Sequence, residues 1–378
     1  MNVQKLINAF FIKRINRFVI ECKVEDTYLH SYLPNPGRLW ELLQRGREVL
    51  LLKKDYAKKY DFFAVAVKLD NFYVLLDTHY NNIFTKRLIE EKNIDLLKGY
   101  YIEKEEYSIE NRRFDFLLNN GRNKLVLEVK SCTLFYNNLA MFPDAPSIRA
   151  KKHVEKLAEL SKKGVKTAIL FIVYSPNVYY FLPEFNVDFD FAESLYRNRK
   201  NIIIAAYSIN NFLSPNKSVS VRKVDIQWDI LKLKLINRGC YMLIIGLDKC
   251  KHVTIGKLGT ISFDAPYYIY VGSAMSNLNE RINRHKRKNK RMFWHIDYLL
   301  KEAKLLHALP IRSEIDLECS VSKDISNISD DSIIGFGSSD CLCVSHLYKF
   351  HDNPLNNKKF IDILLRYRMG QHVLKNLD

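Results

Sequence analysis

At 378 residues, with 47% hydrophobic and 27% charged residues, the chain is long enough for two or three domains that each bury a core. Its net charge of +17 points to an anionic polymer as partner, nucleic acid first among them. No run approaches the roughly 20 uninterrupted apolar residues of a spanning helix, and the opening MNVQKLINAFFIKRINRF mixes charge in too early for a signal peptide, so no membrane partner and a cytoplasmic location are expected.

Residues 1–78 carry short alternating apolar runs at 18–24, 49–52, 62–69 and 72–76, and Asp70-Asn71 joins the last two as a hairpin. A small barrel is the economical fold for such a set. After the first run, Leu33-Pro34-Asn35-Pro36-Gly37-Arg38-Leu39 reads as a loop in which Gly37 permits unusual backbone angles and Arg38 is able to fork onto a phosphate. A plain Pro/Gly turn with an exposed arginine accounts for the same letters. Leu88, Ile89 and Ile94 predict a helix over 85–97, near which Glu90, Glu91 and Glu105 are candidate extra carboxylates.

Residues 112–135 predict a β-hairpin. Phe114, Phe116 and Leu118 alternate on one arm, residues 119–123 turn, and Leu125, Leu127 and Val129 alternate on the other. Asp115 and Glu128 fall out of phase with these apolar residues, and Lys130 shares the face of Glu128 because strand side chains two apart point the same way. Two carboxylates and an amine on one side suit phosphodiester hydrolysis: Asp115 and Glu128 as ligands of a hard cation such as Mg2+ or Mn2+, Lys130 as the group that orients water and offsets phosphate charge. The same three residues also suit a solvated surface triplet. A helix follows at 147–163, with Ile148, His153, Val154, Leu157 and Leu160 at helical spacing and Arg149, Lys151 and Lys152 on other faces, a basic flank for a phosphate backbone. Strands at 169–174 and 201–207 complete an α/β core. A boundary is expected within 213–235, around Ser214, Pro215 and Asn216 and on to Trp228.

Several of these motifs, in order, resemble the sugar fermentation stimulation (SfsA) family: the 33–39 loop, Asp115 with Glu128-Val129-Lys130-Ser131, Met141-Phe142-Pro143-Asp144-Ala145, the run 149–153, and Gly164-Val165-Lys166-Thr167-Ala168. The resemblance covers about the first 225 residues. It implies an oligonucleotide-binding (OB) barrel at 1–78, with Asn35 and Arg38 facing nucleic acid, and a PD-(D/E)XK nuclease-like core at 79–225. There Asp115, Glu128 and Lys130 would be catalytic, Asp115 and Glu128 would hold the metal, and Arg149 and Lys152 would grip the backbone. The proline of the nuclease motif is Phe114 here.

After a linker at 226–235, a new unit opens on the apolar strand Gly239-Cys240-Tyr241-Met242-Leu243-Ile244-Ile245, followed by Tyr267-Tyr268-Ile269-Tyr270-Val271-Gly272 and by Leu278, Arg281 and His285. Seven of the eleven residues 281–291 are Lys or Arg, an electrostatic footprint for phosphates that includes Arg284, Arg287 and Lys288; a solvated helix face is the plainer alternative. The order of these motifs resembles the GIY-YIG endonuclease superfamily, and the runs 293–300 and 335–341 resemble its DUF123 branch. The resemblance implies an α/β domain over 236–378 in which Tyr241, Tyr270 and Arg281 meet the phosphate, His285 is a supporting acid–base group, and Glu318 holds a metal. Asp297 and Asp340 compete with Glu318 for that role, and a binding module with a lapsed site competes with catalysis.

Seven cysteines, at 22, 132, 240, 250, 319, 341 and 343, form no disulfide framework and fit a reducing compartment. Cys341 and Cys343 with His346 make half a zinc site, but a second pair at suitable spacing is missing, so buried thiols are expected. The whole reads as a multidomain α+β and α/β protein with a metal-dependent endonuclease function and DNA as partner, RNA left open. A non-catalytic DNA-binding regulator is the alternative.

Overall fold

Whether a strand alternates or is apolar throughout depends on how many of its faces are covered, and that decides the architecture here. The computed structural model describes residues 6–54, 59–213, 218–370 and 373, and the expected boundary at Ser214, Pro215 and Asn216 lies outside the described residues. Two compact units are present, Met1–Lys232 and Leu233–Asp378.

In the first unit, β1 (Leu6–Asn16), β2 (Val19–Val24), β3 (Thr27–Tyr32), β4 (Glu48–Lys53), β5 (Phe62–Leu69) and β6 (Phe72–Leu75) run in the order β3-β2-β1-β4-β5-β6, and a β3–β5 pairing closes the first five into an OB-like barrel. Asp70 takes the left-handed conformation (φ 52) that the β5–β6 turn needs. Helix α1 (Thr78–Glu90) begins seven residues earlier than the apolar spacing predicts. The Asp77 side chain accepts from the His79 and Tyr80 N–H groups and starts it there, while Lys92 at φ 59 prevents its continuation to Leu97.

The strands β7 (Tyr101–Ile109), β8 (Arg112–Asn119), β9 (Lys124–Cys132), β10 (Leu134–Tyr136) and β11 (Leu139–Phe142) precede α2 (Ile148–Lys162), which Ser147 caps. Then come β12 (Lys166–Val173), β13 (Tyr180–Pro183), α3 (Phe189–Asn198), β14 (Ile203–Asn210) and β15 (Ser220–Ile226). They build one nine-stranded sheet, β10-β11-β13-β15-β14-β12-β9-β8-β7, in which β9, β12 and β14 are parallel neighbours. The predicted hairpin forms with Phe116 opposite Leu127. Leu125 through Val129 are all buried, as expected of a central strand covered on both faces. The predicted linker at 226–235 holds a helix instead, α4 (Trp228–Lys234), because Ile230 and Leu231 are apolar enough to be buried.

In the second unit, β16 (Gly239–Gly246), β17 (Lys251–Thr254), β18 (Thr260–Phe263), β19 (Tyr267–Ala274), α5 (Leu278–Lys286), α6 (His295–Glu302), β20 (Lys304–Arg312), α7 (Glu318–Ser326), β21 (Asp331–Ser332), β22 (Leu347–Phe350) and α8 (Lys358–Met369) follow in order. The sheet is β20-β16-β19-β22-β21, and antiparallel pairing sets Tyr241 opposite Gly272 and Leu243 opposite Tyr270. No described helix is long and apolar enough to cross a membrane.

Because Asp77 alone supplies the side-chain cap of α1, Asp77→Ala is expected to cost about 0.5–2 kcal/mol, read as a lower midpoint of urea unfolding. An unchanged midpoint would show that the cap does not hold the helix.

Candidate functional site

The hairpin brings Asp115 on β8 together with Glu128 and Lys130 on β9. Asp115 is held on both oxygens: the Val129 N–H donates to Oδ2 (2.7 Å) and Asn82 Nδ2, from α1, donates to Oδ1 (2.7 Å). Glu128 is 3% exposed, which rules out a solvated triplet. Its Oε1 is bonded by the Lys130 ammonium and lies 2.6 Å from His153 Nδ1, while Oε2 is buried with no hydrogen-bond partner. Phe114, where the nuclease motif has proline, is buried and packs edge-on against the His153 ring (centroids 5.5 Å apart). His153 reads in the sequence as one more member of an apolar helix face; only the approach of α2 to β9 reveals it as the partner of Glu128.

Burial, then the charge of Glu128, pushes the Asp115 carboxyl up to about 6, against the Val129 N–H, Lys130 and Asn82. Burial works on Glu128 in the same direction, but Lys130 and His153 outweigh it and leave that carboxyl below its ordinary value. Two acids side by side are thus driven apart, one easily protonated and one held as the anion. A buried carboxylate oxygen without a donor, beside a second carboxylate, is a donor set suited to a hard divalent cation.

These groups line a cleft of about 420 Å³. One wall is the 33–39 loop, braced by Arg14 Nη1 on the carbonyls of Gly37 (2.7 Å) and Arg38 (2.6 Å) and by the Leu39 N–H donating to Asp144 Oδ2 (3.3 Å). A Cβ at Gly37 would collide with the Asp144 carboxylate and with Asn35 Oδ1. Asn35, expected to face nucleic acid, is buried: its Nδ2 donates to the Leu76 carbonyl (3.0 Å) and its Oδ1 accepts from the Gly37 N–H (2.9 Å). The Arg38 guanidinium stacks on Trp40 at 4.8 Å, so both residues shape the loop. Arg149 lines the cleft, with Nε 3.5 Å from His153 Nε2; Lys152 is exposed on α2 and does not line it. Arg17 and Arg113, which sequence reasoning missed, also line the cleft. Glu91 and Glu105 instead form surface pairs with Arg87 (2.6 Å) and Lys86 (2.5 Å), and Glu90 sits 4.0 Å from Lys86.

In the second unit, Tyr241, Tyr270, Arg281, His285 and Glu318 gather around the paired strands β16 and β19. The Tyr241 hydroxyl lies 2.8 Å from His285 Nε2, and the two tyrosine rings are 6.4 Å apart. Gly272 is required beside them, since a Cβ there would overlap the Tyr241 hydroxyl at 2.6 Å. Burial, then Lys290, pushes His285 down to about 3, so the ring is neutral. Its Nδ1 is buried without a hydrogen-bond partner, 3.9 Å from Asp297 Oδ1. Burial raises Tyr241 and Tyr270, so both are phenols. Glu318 accepts from Ser273 Oγ (2.5 Å) and lies 2.8 Å from His346 Nδ1.

The basic run divides. Helix α5 ends at Lys286, so 281–291 is not one helical face. Arg281 stacks on Trp294 at 4.0 Å, and Arg284 grips Asp297 through two 2.9 Å bonds, with Lys290 3.5 Å away. Arg284 is therefore a structural partner of Asp297, a residue removed from competition as a metal ligand. Arg287 and Lys288 are exposed, as is Asp340.

Three family models match the chain: the SfsA N-terminal OB domain at residues 12–76, the sugar fermentation stimulation protein RE domain at 79–212, and the domain of unknown function DUF123 at 240–369. A sugar fermentation stimulation protein homolog of Methanosphaera stadtmanae is 37% identical over 230 residues, 59% of this chain and 95% of the relative. The homolog of Methanothermobacter thermautotrophicus is 31% identical over 231 residues, 60% of this chain and 96% of the relative. The structure of Pyrococcus furiosus SfsA in complex with Ca2+ matches with a TM-score of 0.56 at 26% identity, covering 60% of this chain and 98% of that one.

The raised Asp115 carboxyl makes metal-free stability depend on pH. Its folded value of about 6 exceeds the unfolded value of about 3.9, so its contribution is full below about pH 4 and is lost as pH rises through about 6. With chelator present, Asp115→Asn is expected to melt higher than the parent at pH 7 and lose that advantage at pH 4. Equal melting at both pH values would contradict the buried, charge-opposed site.

Proposed function

The chain belongs to the SfsA family, and from that premise we propose that it is a cytoplasmic, divalent-metal-dependent endonuclease acting on DNA. The single observation that carries this reading is the buried, donor-less Oε2 of Glu128 beside Asp115 and Lys130 in a cleft that Arg17, Arg113 and Arg149 also line. A pure binder of polyanions gains nothing from burying carboxylates where the phosphate must sit. Asp115 and Glu128 would hold Mg2+ or Mn2+, as the Ca2+ complex of the Pyrococcus relative supports; the ion would polarise the phosphate and lower the pKa of a bound water.

The chain's own groups do the rest. His153 and Phe114 fix the Glu128 carboxylate, and Asn82 and the Val129 N–H fix Asp115. Lys130 orients the attacking water and neutralises charge as its oxygen bonds to phosphorus and the ester P–O bond breaks. The arginines of the cleft hold the flanking phosphates. Free thiols throughout the described residues fit a reducing compartment.

The second unit supports a second cleavage site. The Tyr241 hydroxyl, 2.8 Å from His285 Nε2, would orient the attacking water, while a ring held down to about 3 is too weak a base to take the proton. Arg281 neutralises developing charge, and Glu318 is the carboxylate that would hold a cation. The outward Arg287 and Lys288 bind phosphate.

Three outcomes test the proposal. Lys130→Met should keep metal binding by calorimetry while single-turnover cleavage falls by about 10²–10⁴, whereas Asp115→Asn should lose both. Parental cleavage rates in Lys130→Met would favour the regulatory reading. The substrates are single-stranded, duplex, flapped and branched DNA, and RNA, with and without Mg2+ or Mn2+. Tyr241→Phe in the full chain should remove only the cleavage that persists in Glu128→Ala; if none persists, the second unit is a binding module. Finally, Arg287→Ala with Lys288→Ala should flatten the slope of log K against log salt by about 0.9 per lost duplex contact, and an unchanged slope places the footprint elsewhere.

A further inference from the structure

The sequence shows Cys341 and Cys343 with His346 but no second cysteine pair at suitable spacing. The fold supplies a third thiol from far along the chain. Cys319, in the first turn of α7, comes to the loop that leads into β22, and the Sγ atoms of Cys319, Cys341 and Cys343 and a ring nitrogen of His346 all lie within 4.8 Å of one another. A tetrahedral zinc with Zn–S of about 2.3 Å and Zn–N of about 2.0–2.1 Å has edges of about 3.5–3.8 Å; the Cys341 Sγ to His346 Nε2 separation is 3.4 Å. We propose that Cys319, Cys341, Cys343 and His346 bind a structural zinc ion.

Two further observations point to a ligand. The loop has the reverse of hydrophobic ordering: Leu342 and Val344 project into solvent, while His346 is buried and its neighbours Cys341 and Cys343 are only half-exposed. Apolar burial does not hold this segment, and a metal cross-link to α7 would. The histidine is also prepared as a ligand. Its Nε2 faces the sulfurs while Nδ1 lies 2.8 Å from Glu318 Oε1, the carboxylate–histidine arrangement that fixes ring orientation and raises ligand basicity. Soft thiolates with one imidazole in a closed four-ligand set select zinc over Mg2+ or Ca2+, so this site is chemically separate from the carboxylates of the first unit. Glu318 also accepts from Ser273 on β19, so the zinc would fix a positioning chain from His346 to the carboxylate beside the tyrosines. Binding would displace the thiol protons, leaving three thiolates whose charge the dication offsets.

The test uses the full chain, purified under reductant. Elemental analysis should find about one zinc per chain. Replacement by Co2+ should give thiolate-to-cobalt charge transfer and the intense visible bands of a tetrahedral site. Cys341→Ser with Cys343→Ser should lose both signals, whereas Cys250→Ser, at an exposed thiol outside the cluster, should keep them. Glu318→Gln should weaken zinc binding by about 10–100-fold. Chelation of the parent should lower its melting temperature, and added Zn2+ should restore it, a readout independent of whether the serine variants fold. A reduced parent that takes up neither metal, or a Cys341→Ser/Cys343→Ser variant with the parent's cobalt spectrum, would overturn the proposal.

Discussion

A carboxylate in the middle of a sheet covered on both faces must find its counter-charges inside the fold, and Glu128 sets that condition for the whole first unit. Lys130 lies two residues along the same strand, and α2 docks so that His153 reaches the other side of Oε1. Phe114 then has a ring to pack against at the position where the family motif carries proline. Removing one partner from such a buried set costs several kcal/mol because a bare charge remains. Even so, Oε2 has no donor and Asp115 is pushed toward protonation. A fold that holds two carboxyls this way gives up stability, and such sites are where function is built.

The barrel serves this site as a wall. Arg14, Asn35 and Gly37 lock the 33–39 loop, and Asp144 ties it to the segment following β11. Asn35 and Arg38, expected to touch nucleic acid, are used internally, and the arginines along the cleft are Arg149 on α2, which was expected there, with Arg17 of the β1–β2 turn and Arg113 of β8. A Pro-Asn-Pro-Gly-Arg stretch therefore preserves the shape of the cleft.

The second unit obeys the same rule. Asp297 is 0% exposed, and Arg284 and Lys290 compensate it, which draws two cations out of what reads as a continuous basic footprint. Burial, then Lys290, keeps His285 neutral, and its Nε2 meets the Tyr241 hydroxyl. The apolar strands β16 and β19 form because both motifs are rich in buried Ile, Leu and Tyr, and Gly272 leaves room for the Tyr241 hydroxyl.

Strands β2, β4, β5 and β6, the hairpin with Asp115, Glu128 and Lys130, the helix after Ser147 and the tyrosine-bearing strands were legible in the chain, because each rests on local periodicity, a turn or a cap within a few residues; β1 and β3, which the barrel needs to close, were not read. Periodicity misplaced α1, since the Asp77 cap outweighs the apolar spacing of residues 85–97. Contacts across long separations were not legible. His153 looks like any core position until α2 meets β9, Arg284 looks like a phosphate ligand until Asp297 is buried beside it, and Cys319 has no metal-site spacing until α7 reaches the loop before β22. The amino-acid order determined which side chains each strand and helix carries on a given face; only the tertiary structure decided which charges neutralise one another, because burial, and not sequence distance, sets the cost of leaving them unpaired.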